Sequence, residues 1–291
     1  MARVHRPTPE LPQHLRRLYE RFPFDRSLAE DPLGEVRRLA PEARSAEILG
    51  LYAATLALGN TTAIRGSIRS LVDRAGGDVA TLVRDGTHRE RLRAWGDFRH
   101  RWIRGDQMAF LGDRLAALYA SYDSLEALFL EGAERADFAG GIDAIVQGLR
   151  GPGSKAPPGV RALLSSPLES PHSAAKRLTL YLRWMVRPSY PDLGVWARIP
   201  TGELRIPLDQ HVHWIAYHLG MTQRRTRSWR TVEEVTETLR RIDPIDPIRF
   251  DFVLCHTGIS GDCPKERDLA VCGPCAVRPD CLLWRRARRA S

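Results

Sequence analysis

The residues best equipped for chemistry crowd toward the C-terminus. All five cysteines, Cys255, Cys263, Cys272, Cys275 and Cys281, fall in the last 37 residues. The final four stand in CPKERDLAVCGPCAVRPDC, a C-x8-C-x2-C-x5-C run. An odd count argues against a disulfide framework, and the clustering points to metal. Pro264, Gly273, Pro274 and Pro279 keep this stretch from forming regular structure, so it is expected to wind as a loop around a compact centre. Four thiolates without a histidine suit either a [4Fe–4S] cluster or a structural zinc. Cys255 lies in the apolar helical stretch FDFVLCH and reads as a buried thiol rather than a ligand.

Charge adds a second signal. Lysine plus arginine total 44 against 35 acidic residues, a net charge of +9, which favours a polyanionic partner such as nucleic acid. Only Lys155, Lys176 and Lys265 are lysines. Where arginine is the habitual cation, a retained lysine marks a place where a guanidinium, which cannot shed its proton, will not serve. Lys176 lies in LLSSPLESPHSAAKRLTLYLRWMVRP, with Ser170 as expected N-cap, Pro171 at the first helical position and Lys176 in the second turn. Asp209 opens the helix of RIPLDQHVHWIAYHLG.

The elements that must position these residues are helices. Ile48, Leu51, Tyr52, Thr55 and Leu56 recur at helical spacing before Gly59, as do Leu111, Leu115 and Leu118. The same holds for Leu178, Tyr181, Leu182 and Met185, for Val212, Ile215, Ala216 and Leu219 before Gly220, and for Val232, Val235 and Leu239. Only Leu204–Ile206 is extended in character, so the fold class is expected to be all-α. Gly/Pro-rich breaks fall at 151–159, 188–194 and 198–207. Four regions are expected: an N-terminal arm (1–46) packing on the C-terminal lobe, a helical barrel (47–165), a hairpin and catalytic region (166–262), and a cysteine loop with a basic tail (263–291). With 43% hydrophobic and 27% charged residues the composition is that of a globular chain. No apolar run approaches the ~20 residues of a membrane span, and MARVHRPTPELPQHLRR lacks the apolar core of a signal peptide. A cytoplasmic, nucleoid-associated monomer is expected.

Taken together, a lysine-bearing helical hairpin, the element IPLDQHV and a C-terminal four-cysteine loop resemble the HhH-GPD superfamily of DNA glycosylases, with endonuclease III as type member. The likeness runs from about residue 45 to 281. In the cysteine loop the first gap is two residues longer than that family's C-x6-C-x2-C-x5-C. The hairpin L-P-G-V-G-x-K-T-A is replaced by LESPHSAAKRL, residues 168–178, without either glycine. The Lys-to-Asp separation of 33 residues is similar to that of the archaeal 8-oxoguanine glycosylases. KRLTLYLRWMVR with IPLDQHV also resembles a bacterial iron–sulfur branch described only as a domain of unknown function.

The resemblance implies a two-lobed HhH-GPD fold and excision of a modified base, oxidised guanine favoured, by a bifunctional glycosylase and AP lyase. Lys176 would be the nucleophile and Asp209 the carboxylate that meets positive charge on the sugar. It favours [4Fe–4S] over zinc at Cys263, Cys272, Cys275 and Cys281, and double-stranded DNA as partner. His172 and Ser173 would replace the missing hairpin amides at a phosphate, beside Arg177; His211 would meet another phosphate. Asn60, ending the first barrel helix, would fill the gap left by a flipped base. Arg267 and Arg278, with Arg285, Arg286, Arg288 and Arg289, would form a backbone-binding patch. Trp184, Trp196 and Trp214 are candidates for stacking on the extruded base. The alternatives are a monofunctional glycosylase for another base, a catalytically silent iron–sulfur DNA-binding protein, and an iron–sulfur nuclease.

Overall fold

A computed structural model of the chain describes residues 6–154 and 156–285. It is mostly helical, with a single two-stranded sheet among the described residues, so the all-α class holds. No helix among the described residues is long and apolar enough to cross a membrane.

The chain forms two compact units, neither continuous in sequence. The larger takes Asp25–Ser170 and Arg177–Glu203; the other takes Met1–Phe24, Pro171–Lys176 and Leu204–Ser291.

The larger unit is built on the helix Ala43–Thr55, in which every residue from Ala46 to Thr55 is buried. Gly50 allows its close contact with the helix Lys176–Val186, which lies in this unit from Arg177 onward, because a Cβ there would come within 2.8 Å of Met185 Cε. A buried carboxylate sits inside this packing. Glu47 accepts hydrogen bonds from Tyr119 Oη at 2.7 Å, Leu125 N at 3.2 Å and Trp196 Nε1 at 2.5 Å. Both its oxygens are thereby satisfied, which is what burying a carboxylate requires. Expected to end at Gly59, the helix instead stops at Thr55, and Asn60 caps the next one, Thr61–Arg74. The stretch Leu125–Arg150 is two helices folded back at Ala136 and Asp137, which are not helical. The fold-back depends on Gly132 and Gly140, since a Cβ on either would meet the other's carbonyl oxygen at 2.4 Å.

The second unit gathers the helices Leu11–Glu20, Gln210–His218, Trp229–Arg240 and Asp251–Ile259 with two short ones, Leu269–Cys272 and Leu282–Arg285. Tyr19, Phe22 and Phe24 pack edge-on or stacked against Phe250 and Phe252. Leu204–Ile206 pairs with no strand; instead Ile206 N donates to Thr236 Oγ1 at 3.1 Å.

Candidate functional site

Asp209 is the N-cap of the helix Gln210–His218. Aspartate suits that place because its carboxylate accepts the orphan amides of the first turn and offsets the positive end of the helix dipole. Its Oδ1 accepts from His211 N and Val212 N, both at 2.8 Å. The other oxygen, Oδ2, accepts from Cys255 Sγ at 3.3 Å. Cys255 comes from the helix Asp251–Ile259, one of the partners of the aspartate's helix in this unit. The two helices close up at Gly258, where a Cβ would meet His211 Cβ at 2.5 Å and the imidazole ring at 2.7–2.8 Å. The sequence reading missed Cys255 because one cysteine in an apolar helix carries no spacing signal; only the packing brings it to Asp209.

Lys176 belongs to the same unit as Asp209. Its place in its helix differs from the expected second turn, because the helix begins at Lys176 itself. Pro171 and the residues after it form turns: Ser173 Oγ accepts from Ala175 N at 3.1 Å, and Ala175 stands at φ +46°. That left-handed residue stops helical geometry from propagating back to Ser170, so Ser170 is no cap. The segment is tied to its unit through Trp229 N, which donates to Pro171 O at 3.1 Å.

His172 is exposed and Ser173 half-exposed, but Ser173 Oγ is spent on the local turn. Arg177 turns into protein: it donates to Leu163 O at 3.5 Å, and burial lowers its pKa. His211 is half-buried, with Nε2 3.3 Å from Gln210 Nε2. Asn60 is exposed, its side chain accepting from Ala63 N at 2.8 Å. Trp184 and Trp196 are buried to 1% and 3% exposure and are closed to any base.

In the cysteine loop, burial raises the thiol pKa of Cys263, Cys275 and Cys281. Opposing this, backbone amides favour each thiolate: Lys265 N at Cys263, Val277 and Arg278 N at Cys275, Leu283 and Trp284 N at Cys281. The charge of Cys272 raises the pKa of Cys263 and Cys275, and the charges of Cys263 and Cys275 raise that of Cys281, so the four thiols form one electrostatically linked set. Amide-supported thiolates are the donor chemistry that metal ligation needs. The indole N–H of Trp214 favours the Cys263 thiolate, and that of Trp284 is buried without a hydrogen-bond partner. Such an orphan donor suits a loop that surrounds an additional acceptor atom. The four sulfurs are not drawn to ligand spacing: among the described residues no group of three or more His, Cys, Asp or Glu is gathered closely enough to hold a metal ion.

Arg278 and Arg267 lie over the Trp284 ring, 4.3 and 5.9 Å from its centroid, and Arg267 Nε donates to Leu283 O at 2.6 Å. Both brace the loop. Asp280, just before Cys281, accepts from Thr8 Oγ1 and faces His14 Nδ1 at 2.7 Å, so the N-terminal segment holds the loop too. Arg285 donates to Arg6 O at 3.4 Å; Arg286, Arg288 and Arg289 lie outside the described residues.

The chain belongs to the family described as "Protein of unknown function (DUF2400)", whose model matches residues 31–260. That span includes Lys176, Asp209 and Cys255 and stops short of the four-cysteine loop. No curated protein and no solved structure matches the chain.

Proposed function

We propose that the chain is a DNA glycosylase of HhH-GPD type with AP lyase activity, oxidised guanine being its favoured target. One observation carries the reading: Asp209, fixed by two amides and a thiol, shares a compact unit with Lys176, which opens a helix. The net charge of +9 and the resemblance of KRLTLYLRWMVR and IPLDQHV support it.

The target nucleotide leaves the duplex because its C1′ is otherwise out of reach. Positive charge grows on the sugar as the glycosidic bond lengthens, and the Asp209 carboxylate stabilises it. The neutral Lys176 Nζ forms a bond to C1′ as the base departs with the bonding electrons and takes a proton. Loss of the amine's proton and opening of the ring give a Schiff base. Removal of a C2′ proton then expels the 3′ phosphate by β-elimination, and water frees Lys176. Cys263, Cys272, Cys275 and Cys281 would hold a [4Fe–4S] cluster, with structural zinc as the alternative, whose contribution is to cross-link the loop. The chain acts as a cytoplasmic, nucleoid-associated monomer.

The test is a panel of duplexes, each with one modified base, assayed with and without alkali and with borohydride trapping. The wild type should nick and trap one substrate class in the presence of EDTA. Lys176→Gln, purified with an unchanged metal content, should lose trapping. A wild type that acts on no member of the panel would overturn the reading, as would Lys176→Gln trapping normally. Activity abolished by EDTA would favour the nuclease alternative.

A further inference from the structure

The larger unit carries the one sheet among the described residues, a hairpin between the helices His88–Trp95 and Gly105–Tyr119. Arg99–His100 pairs antiparallel with Ile103–Arg104, leaving Arg101 and Trp102 as the tip. Arg101 stands at φ +55°, a conformation unfavourable for a side-chain-bearing residue unless its surroundings hold it. Those surroundings are visible. Phe98 and Ile103 are buried beneath the tip. The buried His100 clamps it: Nε2 donates to Leu58 O at 3.0 Å, and Nδ1 accepts from the Ser67 hydroxyl at 2.8 Å. The Arg101 side chain lies across Gly59, where a Cβ would come within 3.1 Å of Nη1. The residue after Gly59 is the exposed Asn60.

This support holds outward a residue that folding alone would bury. Trp102 is 43% exposed, and Arg99, Arg101 and Arg104 are exposed around it. We propose that the Arg101–Trp102 tip is a stacking surface for a DNA strand: Trp102 meets the face of an unstacked base, and Arg101 and Arg104 meet flanking phosphates. An indole offers a flat π face that any base can use, and guanidinium groups beside it complement the strand's charge. The acids closest in sequence are Asp97 and Asp106; Arg104 pairs with Asp106 at 3.7 Å on the exposed surface, and no acid stands between Arg99 and Arg104 along the chain. Preordering by His100 and Ile103 reduces the conformational entropy lost on binding.

The inference rests on the reading that the chain binds DNA. It is tested by equilibrium binding of the full chain to a labelled single strand, to an intact duplex and to a duplex with one unpaired base, at two salt concentrations. Trp102→Ala should weaken the single strand and the interrupted duplex by about tenfold, the worth of one stacked base, with the salt slope unchanged. Trp102→Phe should retain most of the affinity, and Arg101→Gln should reduce the salt slope by roughly one phosphate contact. Ile245→Ala, at a position 79% exposed in the other unit, should bind as the wild type does. Thermal melts of all four variants check that the fold is kept. Wild-type binding left unaltered by Trp102→Ala overturns the inference while sparing the DNA reading. A wild type that binds none of the three DNAs defeats the underlying reading before any variant is made.

Discussion

Asp209 does two jobs that substitutions can separate. As an N-cap it satisfies two amides through Oδ1; as the proposed catalytic carboxylate it presents charge through a group whose Oδ2 accepts from a weak donor, the Cys255 thiol. Asparagine caps as well as aspartate, whereas alanine forfeits about 1 kcal/mol of stability. Asp209→Asn should therefore unfold in urea like the wild type and yet lose excision, and Asp209→Ala should lose both. Cys255→Ala removes neither cap bond. It should stay within about 1 kcal/mol of the wild-type stability while lowering turnover and shifting its pH profile, because Oδ2 is then held only by the backbone geometry of the cap. Equal turnover and an unchanged pH profile in Cys255→Ala would show that the thiol is packing alone.

At the scale of elements, the helices follow from apolar spacing, and what escaped the sequence is instructive. Periodicity located the helix of Leu178, Tyr181 and Met185, but not its start, because Ala175 takes a left-handed conformation that only its surroundings enforce. The hairpin Arg99–Arg104 escaped because RHRWIR shows no clean alternation of polar and apolar residues. Glu47 carries no mark of burial in the sequence, yet three donors from distant positions hold it inside the larger unit. Asp209 was legible as a helix start, and Cys255 beside it was not. The hairpin also makes a pH prediction. Burial lowers the pKa of His100 below its ordinary 6.5, assisted by the charge of Arg101. The folded state thus prefers neutral imidazole, so the stability contributed by this histidine is present above its unfolded value and is lost as pH falls through its lowered folded value. His100→Asn should be less stable than wild type at pH 7.5, and the gap should narrow on acidification toward pH 5. A gap constant across that range in paired denaturation curves would contradict the assignment.

At the scale of the whole chain, the two units are interleaved in sequence: Pro171–Lys176 and everything from Leu204 onward join the first residues rather than their immediate neighbours. Such discontinuity is decided by packing and leaves no mark in composition, which is why a linear division into four regions was the natural reading of the sequence. Within the second unit, the cysteine loop and the N-terminal segment hold each other through Asp280, Thr8 and His14. The loop's own helices are only four residues each, Leu269–Cys272 and Leu282–Arg285, too short to persist unaided. If a metal centre cross-links the four thiolates, its free energy of binding is part of the unit's folding free energy. Purified protein should then be brown, with iron and inorganic sulfide near four atoms each per chain for a [4Fe–4S] centre; colourless protein carrying one zinc would select the alternative. Stripping the metal should open the loop to limited proteolysis at Lys265 or Arg267, and should expose the N-terminal segment at Arg16 or Arg17, because Asp280 would no longer be held against Thr8 and His14. Cleavage patterns identical before and after stripping, in protein shown to have contained metal, would mean that packing alone holds the loop and that the thiolates bind without bearing on the fold.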